Sequence, residues 1–128
     1  MKPEQLLWAL VKPYFPGHVE RMENAAAVGT PDVHFCYNAS EVWVELKVDI
    51  LNKNLSILEL LRPEQKVWHY KHVINLGKAY VLIRAGSKLT LYKATWPSQN
   101  SVACNYVSVW SDSKPWRWEV FEAILRSL

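Results

Sequence analysis

Three side chains of this sequence have the types and spacing to do chemistry together: Asp32, Glu45 and Lys47. Asp32 follows Gly29-Thr30-Pro31, a turn signal, and opens the run Val33-His34-Phe35-Cys36-Tyr37. Glu45 and Lys47 sit in Val42-Trp43-Val44-Glu45-Leu46-Lys47-Val48. Successive side chains of a strand point to opposite faces, so Trp43, Glu45 and Lys47 share one face and Val42, Val44, Leu46 and Val48 the other. A pair of carboxylates holds a cation such as Mg²⁺, which takes oxygen ligands and keeps several waters. A lysine beside them can orient or deprotonate an attacking water and offset charge at a phosphate. Together these are the parts that hydrolysis of a phosphodiester requires. An acid in a strand this apolar needs a partner or a metal, because burying an unpaired charge is costly.

The elements that must position these groups are legible on either side. Asp32 to Tyr37 reads as one strand and Glu41 to Val48 as the next, with Asn38-Ala39-Ser40 as a reversal of about three residues. An antiparallel hairpin then brings Asp32, at the outer start of its strand, beside Glu45 and Lys47. Residues 49 to 61 read as an irregular, mobile loop, with Leu60 and Leu61 returning to the core. Pro63 suits the first turn of a helix, Glu64 follows where the helix dipole favours an acid, and Gly77 fits the stop, so the helix spans about Pro63 to Leu76. Val67, Tyr70 and Ile74 face one way on it, and Gln65, Trp68, His69 and His72 another. Ala79 to Arg84 is a buried strand and Lys88 to Lys93 an alternating one. Strand, helix, strand in this order is a crossover unit, so the sheet is mixed.

Toward the ends the pattern is looser. Pro3 opens a short helix with Leu6, Leu7, Leu10 and Val11 on one stripe, and Pro13 and Pro16 end it. Residues 17 to 28 fit a strand or a helix equally. Tyr106 to Trp110 is the β-prone piece of residues 94 to 114, and Pro115 starts a final helix carrying Trp118, Phe121, Ile124, Leu125 and Leu128. There is no internal repeat. The expected architecture is a single α/β domain over residues 1–128, a mixed β-sheet flanked by helices.

Pro31-Asp32 followed by Glu45-Leu46-Lys47 resembles the PD-(D/E)xK superfamily of nucleases, and within it the small VRR-NUC and Holliday-junction-resolvase-like group often encoded by phages. Arg21-Met22-Glu23-Asn24, Gly29, Arg62-Pro63-Glu64-Gln65 and the following Val-Leu-Ile-Arg strand strengthen the likeness, which covers about residues 20 to 93. The resemblance implies a restriction-endonuclease-like core and a Mg²⁺-dependent endodeoxyribonuclease, with Mn²⁺ substituting. Asp32 and Glu45 would be metal ligands together with the Leu46 carbonyl, and Lys47 the catalytic lysine. Glu23 would be the upstream acid, with Glu20 as the alternative. Gln65 would lean toward the site and help position Lys47 or the water. DNA, branched or duplex, would be the substrate, cut in a structure-specific manner at junctions or flaps.

Alternatives stand beside each assignment. Asp32 after Pro is a common turn cap, and Glu45 with Lys47 is a same-face pair of small energetic value if solvated. Arg21, Arg62, Lys66, Lys71 and His69 are candidate phosphate contacts, and a solvated or packed helix face explains them as well. His69 and His72 lack the third and fourth ligands a zinc site needs. Two readings compete with a DNA nuclease: a non-catalytic DNA-binding module that keeps the nuclease fold, and a nuclease acting on RNA. The residues themselves do not separate DNA from RNA.

Composition sets the bounds. The 128 residues carry 15 Lys and Arg against 12 Asp and Glu, a net charge of +3 that permits a nucleic-acid partner without demanding one. No apolar run approaches the ~20 residues of a membrane span, and no signal-peptide pattern opens the chain. Cys36 and Cys104 lack CxxC spacing and read as reduced, buried thiols, which suits a cytoplasmic protein; the resemblance implies that the cell is a bacterium or a phage-infected host. Seven Trp are many for this length. Most suit a core, and Trp110, Trp116 and Trp118 are the candidate contact of a two-fold homodimer.

Overall fold

The computed structural model describes residues 2–22, 28–99 and 101–128. It is an α/β structure built on one mixed six-stranded sheet whose strands lie side by side in chain order. The strands are β1 (His18–Arg21), β2 (Val33–Tyr37), β3 (Ser40–Asp49), β4 (Ala79–Ala85), β5 (Lys88–Thr95) and β6 (Asn105–Ser113). Helix α1 (Pro3–Val11) precedes the sheet, α2 (Ile57–Leu60) and α3 (Pro63–Ile74) connect β3 to β4, and α4 (Trp118–Arg126) follows it. Only β3 and β4 run parallel; every other neighbouring pair is antiparallel. A parallel pair cannot be closed by a hairpin, so the chain must cross over, and α3 is the crossover.

Period-two patterning decides what each face buries. Val42, Val44 and Leu46 of β3 join Val33, Phe35, Leu82, Leu89 and Leu91 on one face, which α1 covers with Leu7 and Val11 and α4 with Phe121 and Leu125. Truncating one of these leucines to alanine would cost about 2–5 kcal/mol. On the opposite face, Leu61 packs with Val81 and Ile83, and Val73 of α3 with Ala79 and Ala94. Trp43, Glu45 and Lys47 belong to this second face, beneath α3.

The β2–β3 hairpin is tighter than its sequence suggests. Its turn is two residues, Asn38 and Ala39, both at positive φ (51° and 65°), and Tyr37 pairs directly with Ser40. Two left-handed residues give the turn a twist that matches the flanking strands. Residues 18–21, open between strand and helix in the sequence, form the edge strand β1.

Residues 49–61 are more ordered in their bonding than a plain loop. Asp49, buried at the end of β3, accepts from the backbone N–H of Lys53 and of Leu55, both at 3.1 Å. Ser56 then caps α2 through the N–H of Glu59 at 3.2 Å. Helix α3 stops at Ile74 rather than Leu76, which has φ 67° and is exposed. The last helix begins at Trp118, three residues after Pro115.

Of the C-terminal tryptophans offered as a contact surface, Trp110 is buried, whereas Trp116 and Trp118 are partly exposed. Trp110 is buried against Phe121, with ring centroids 5.0 Å apart, and Trp118 stacks on Tyr14 at 4.5 Å. Trp116 lies between the Arg84 and Lys114 cations. Cys104 is buried as expected, whereas Cys36 on the open side of β2 is half-buried; both are free thiols. No described helix is long and apolar enough to cross a membrane.

Candidate active site

The hairpin register brings the first two acids together. Val33 pairs with Val44, so one step further toward the strand start Asp32 meets Glu45. Asp32 Oδ2 accepts a hydrogen bond from the backbone N–H of Leu46 at 2.8 Å, which ties the acid to β3. Its Oδ1 lies 3.3 Å from a guanidinium nitrogen of Arg21. The Asp32 main-chain oxygen accepts from the N–H of Met22 at 2.7 Å and from Arg21 at 3.2 Å. The end of β1 is thereby pinned to the start of β2.

Glu45 is the anomalous group. It lies in the central part of the sheet with 2% of its surface exposed. Oε1 accepts from Gln65 Nε2 at 2.8 Å, and Oε2 is buried with no hydrogen-bond partner among the described residues. Burial first, and then the adjacent negative Asp32, push its carboxyl up to about 9; the Lys47 and Arg62 cations pull the other way without cancelling this. Two acids side by side, one of them buried with an oxygen unpartnered, form an arrangement that a cation would relieve.

The N-terminus of α3 supplies the third contributor. Gln65 is buried in the first turn, and its Oε1 accepts from the Arg62 N–H at 2.9 Å while its Nε2 donates to Glu45. One amide thus caps the helix and orients the carboxylate. Gln65 leans into the site as the resemblance implies, and the group it bonds there is Glu45. Gly29 makes this docking feasible. Its φ is 87°, and a Cβ there would stand 2.2 Å from the Glu64 carbonyl oxygen, so only glycine lets the turn before Asp32 touch the first turn of α3.

These groups line a pocket of about 440 Å³. Arg21, Asp32, Glu45, Leu46 and Lys47 form part of its wall and Arg62 and Gln65 another. Its remaining wall is α1, through Lys2, Glu4 and Gln5, which sequence reasoning left out of the site. A signal was present. Residues 2–5 read Lys-Pro-Glu-Gln and residues 62–65 Arg-Pro-Glu-Gln. In both, the glutamine side chain accepts from the N–H three residues earlier, at 3.0 Å for Gln5 and 2.9 Å for Gln65. The same tetrapeptide logic builds two helix starts that converge on one pocket.

The other expected residues sort clearly. Arg62 lines the pocket, paired with Glu64 at 3.2 Å. Arg21 faces Asp32 rather than open solvent, so its first role is to balance that acid. Lys66 is partly exposed on α3 and not part of the pocket wall. His69, a candidate phosphate contact, is instead fully buried, with Nδ1 2.8 Å from the Tyr106 hydroxyl. Burial holds its imidazole down at about 4, so it is neutral near pH 7 and unsuited to binding phosphate. The polar helix face to which it belongs is the face turned toward the sheet. Glu20 is exposed on the edge strand, where it pairs with His18 at 2.9 Å, and it is not part of the pocket wall. Glu23 lies outside the described residues. Among the described residues no group of three or more His, Cys, Asp or Glu is arranged to hold a metal ion; the pair Asp32 and Glu45 is what the fold brings together.

Comparison with protein-family models, with curated proteins and with solved structures returns no match for this chain.

Proposed function

We propose that this chain is a divalent-cation-dependent nuclease that hydrolyses phosphodiester bonds in DNA, on a restriction-endonuclease-like core. The observation that carries the reading is Glu45: a carboxylate buried in a central strand, set against Asp32, with one oxygen fixed by Gln65 and the other unpartnered. Such a group is unfavourable in a purely structural role. A non-catalytic module would gain nothing from it. A hard cation fits the donor set, with Asp32, Glu45 and the Leu46 carbonyl to hold it and Glu4 as a further acid on the α1 wall of the same pocket. When bound, Mg²⁺ or Mn²⁺ supplies polarisation of a phosphoryl oxygen and positive charge for the departing one.

The chain's own residues do the rest. Gln65 holds Glu45 in one orientation beside Asp32. Lys47, two residues along the same strand face, orients an attacking water and takes part in its proton transfer. Lys2 and Arg62, at the starts of α1 and α3, put positive charge at the pocket wall where phosphates arrive. Branched or flapped DNA and a two-fold dimer remain the substrate geometry and assembly proposed for this site.

The test is a cleavage panel of single strand, duplex, flap, splayed arm and four-way junction, with and without Mg²⁺, with matched RNA strands alongside. Cutting should require the cation, and Glu45→Ala or Lys47→Ala should lower it by at least about a hundredfold. Activity that survives both substitutions would sink the assignment. Salt-sensitive binding that ignores the cation, with no cutting, would favour the non-catalytic module.

A further inference from the structure

Beside the acids lies a cluster of rings that the hydrolytic site does not use. His34 and Trp43 sit directly opposite each other on β2 and β3, each two residues from Asp32 and Glu45 on the same face of the hairpin. Their ring centroids are 4.4 Å apart. Trp68 of α3 meets Trp43 edge-on at 5.3 Å, and His72 stacks on Trp68 at 4.5 Å with 21° between planes. A strand advances about 3.3 Å per residue, so this cluster begins about 7 Å from the acids, roughly two base-stacking steps of a nucleic-acid strand.

We infer that Trp43, Trp68 and His72 form a stacking subsite for an unpaired nucleobase of the strand whose phosphate reaches Asp32 and Glu45; this rests on the nuclease reading above and names its substrate as one with unpaired nucleotides next to the cut.

Three features distinguish the cluster from ordinary core. Among the described residues Trp43 belongs to none of the three apolar clusters, and its ring neighbours are His34, Trp68 and His72, of which Trp68 also packs against the Val73, Ala79, Ala94 and Cys104 core. All four rings are only partly buried. The Trp68–His72 stack also forms the wall of an open cleft of about 280 Å³ shared with Lys71 and Asn75. On its far side, His72 and Trp43 line a second cleft with Lys78, whose Nζ lies 2.6 Å from Ser40 Oγ. Exposed π-faces bordered by lysines are the chemistry that binds a single strand without reading its sequence. Glu41 is the opposing charge at this edge, 3.8 Å from His34, which favours a base over a phosphate at the rings themselves.

The test uses the whole chain in chelator, where no strand is cut and the outcome does not depend on catalysis. Tryptophan quenching and calorimetry at fixed salt compare a short oligothymidylate, an abasic chain with the same phosphates, the matching oligouridylate and a blunt duplex of equal length. The oligothymidylate should bind at least ~10-fold more tightly than the abasic chain. Trp68→Phe should keep that preference, and Trp68→Ala should lose it while its circular dichroism is unchanged. Equal binding of abasic and base-bearing chains, no binding of either, or a folded Trp68→Ala that keeps the full preference would overturn the inference. If Trp68→Ala does not fold, the abasic comparison on the native chain decides alone. The oligouridylate shows whether the sugar matters: stacking of both supports the subsite, and the tighter one names the strand. A chain that shows the base preference yet cuts nothing in Mg²⁺ retains the stacking site and loses the nuclease reading. Cutting without base preference does the reverse.

Discussion

The side-chain amide of Gln65 donates to Glu45 Oε1 at 2.8 Å across twenty residues of sequence, and this bond joins the α3 crossover to the acid of β3. Replacing Gln65 with Ala leaves both oxygens of a buried carboxylate unpartnered and removes an arm of the helix cap. The expected loss is about 1–3 kcal/mol of folding stability, measured by denaturant unfolding. Cleavage should fall with it, and Gln65→Glu, which sets a third acid against Asp32 and Glu45 in place of a donor, should be worse than Ala in both measurements.

The pH dependence of stability follows from the same acid. Glu45 binds its proton more tightly folded, up to about 9, than unfolded, where the ordinary value is 4.5. Between these values the folded state holds more protons, so stability falls as pH rises. His69 acts on the other side: its folded value of about 4 lies below the ordinary 6.5, so its contribution is lost as pH falls through that window. Above about 6.5 the imidazole is neutral in both states and Glu45 acts alone. In chelator, melting temperature should therefore decline from about pH 6.5 to 9. Glu45→Gln should flatten that decline and raise the neutral-pH melting temperature by roughly 5 °C. A flat profile in the native chain would contradict the burial cost assigned to Glu45.

Glu4 and Glu20 make opposite predictions. Glu4 lines the pocket, whereas Glu20 pairs with His18 on the edge strand. Glu4→Gln should raise the Mg²⁺ concentration needed for half-maximal cutting by about tenfold, and Glu20→Gln should leave it unchanged. A titration of rate against Mg²⁺ for the two variants separates them. Equal sensitivity would remove Glu4 from the site.

Gly29 is a contact, not merely a turn. An alanine there would be strained at φ 87° and would collide with the Glu64 carbonyl. Gly29→Ala should destabilise the fold by about 1–3 kcal/mol. It should also lower cleavage more than a surface variant of equal stability, because α3 must move away and carry Gln65 with it. Paired unfolding and rate measurements test this.

Local patterning carried the centre of the chain. The alternation of residues 42–48, the Pro63 helix start and the apolar residues 79–84 each specify their element with neighbours close in sequence, so the hairpin, the crossover and the meeting of Asp32 with Glu45 could be read directly, whereas Gln65 came only through the family resemblance. Long-range packing was not legible in the same way. Glu4 reaches the pocket only because α1 folds back beside β3, and the one mark of it within its own helix is the likeness of residues 2–5 to residues 62–65. His69 is polar by type, yet its helix face is turned inward, where the Tyr106 hydroxyl of a distant strand satisfies one ring nitrogen. Trp110, Trp116 and Trp118 could be surface or core by composition; Trp110 is buried against Phe121 of α4, and Trp116 and Trp118 stay partly exposed at its start.

The two-residue turn at Asn38 and Ala39 has a further consequence, which concerns parity. On β3 the odd-numbered Trp43, Glu45 and Lys47 face α3, and the even-numbered Val42, Val44 and Leu46 face the core under α1. A single residue added to that turn would shift pairing by one and exchange the two sets, turning the acid and lysine into the oil and the valines into the pocket. Side-chain alternation makes the site an all-or-none property of counting, and the Asp49 clamp at the far end of β3 holds the count from the other side.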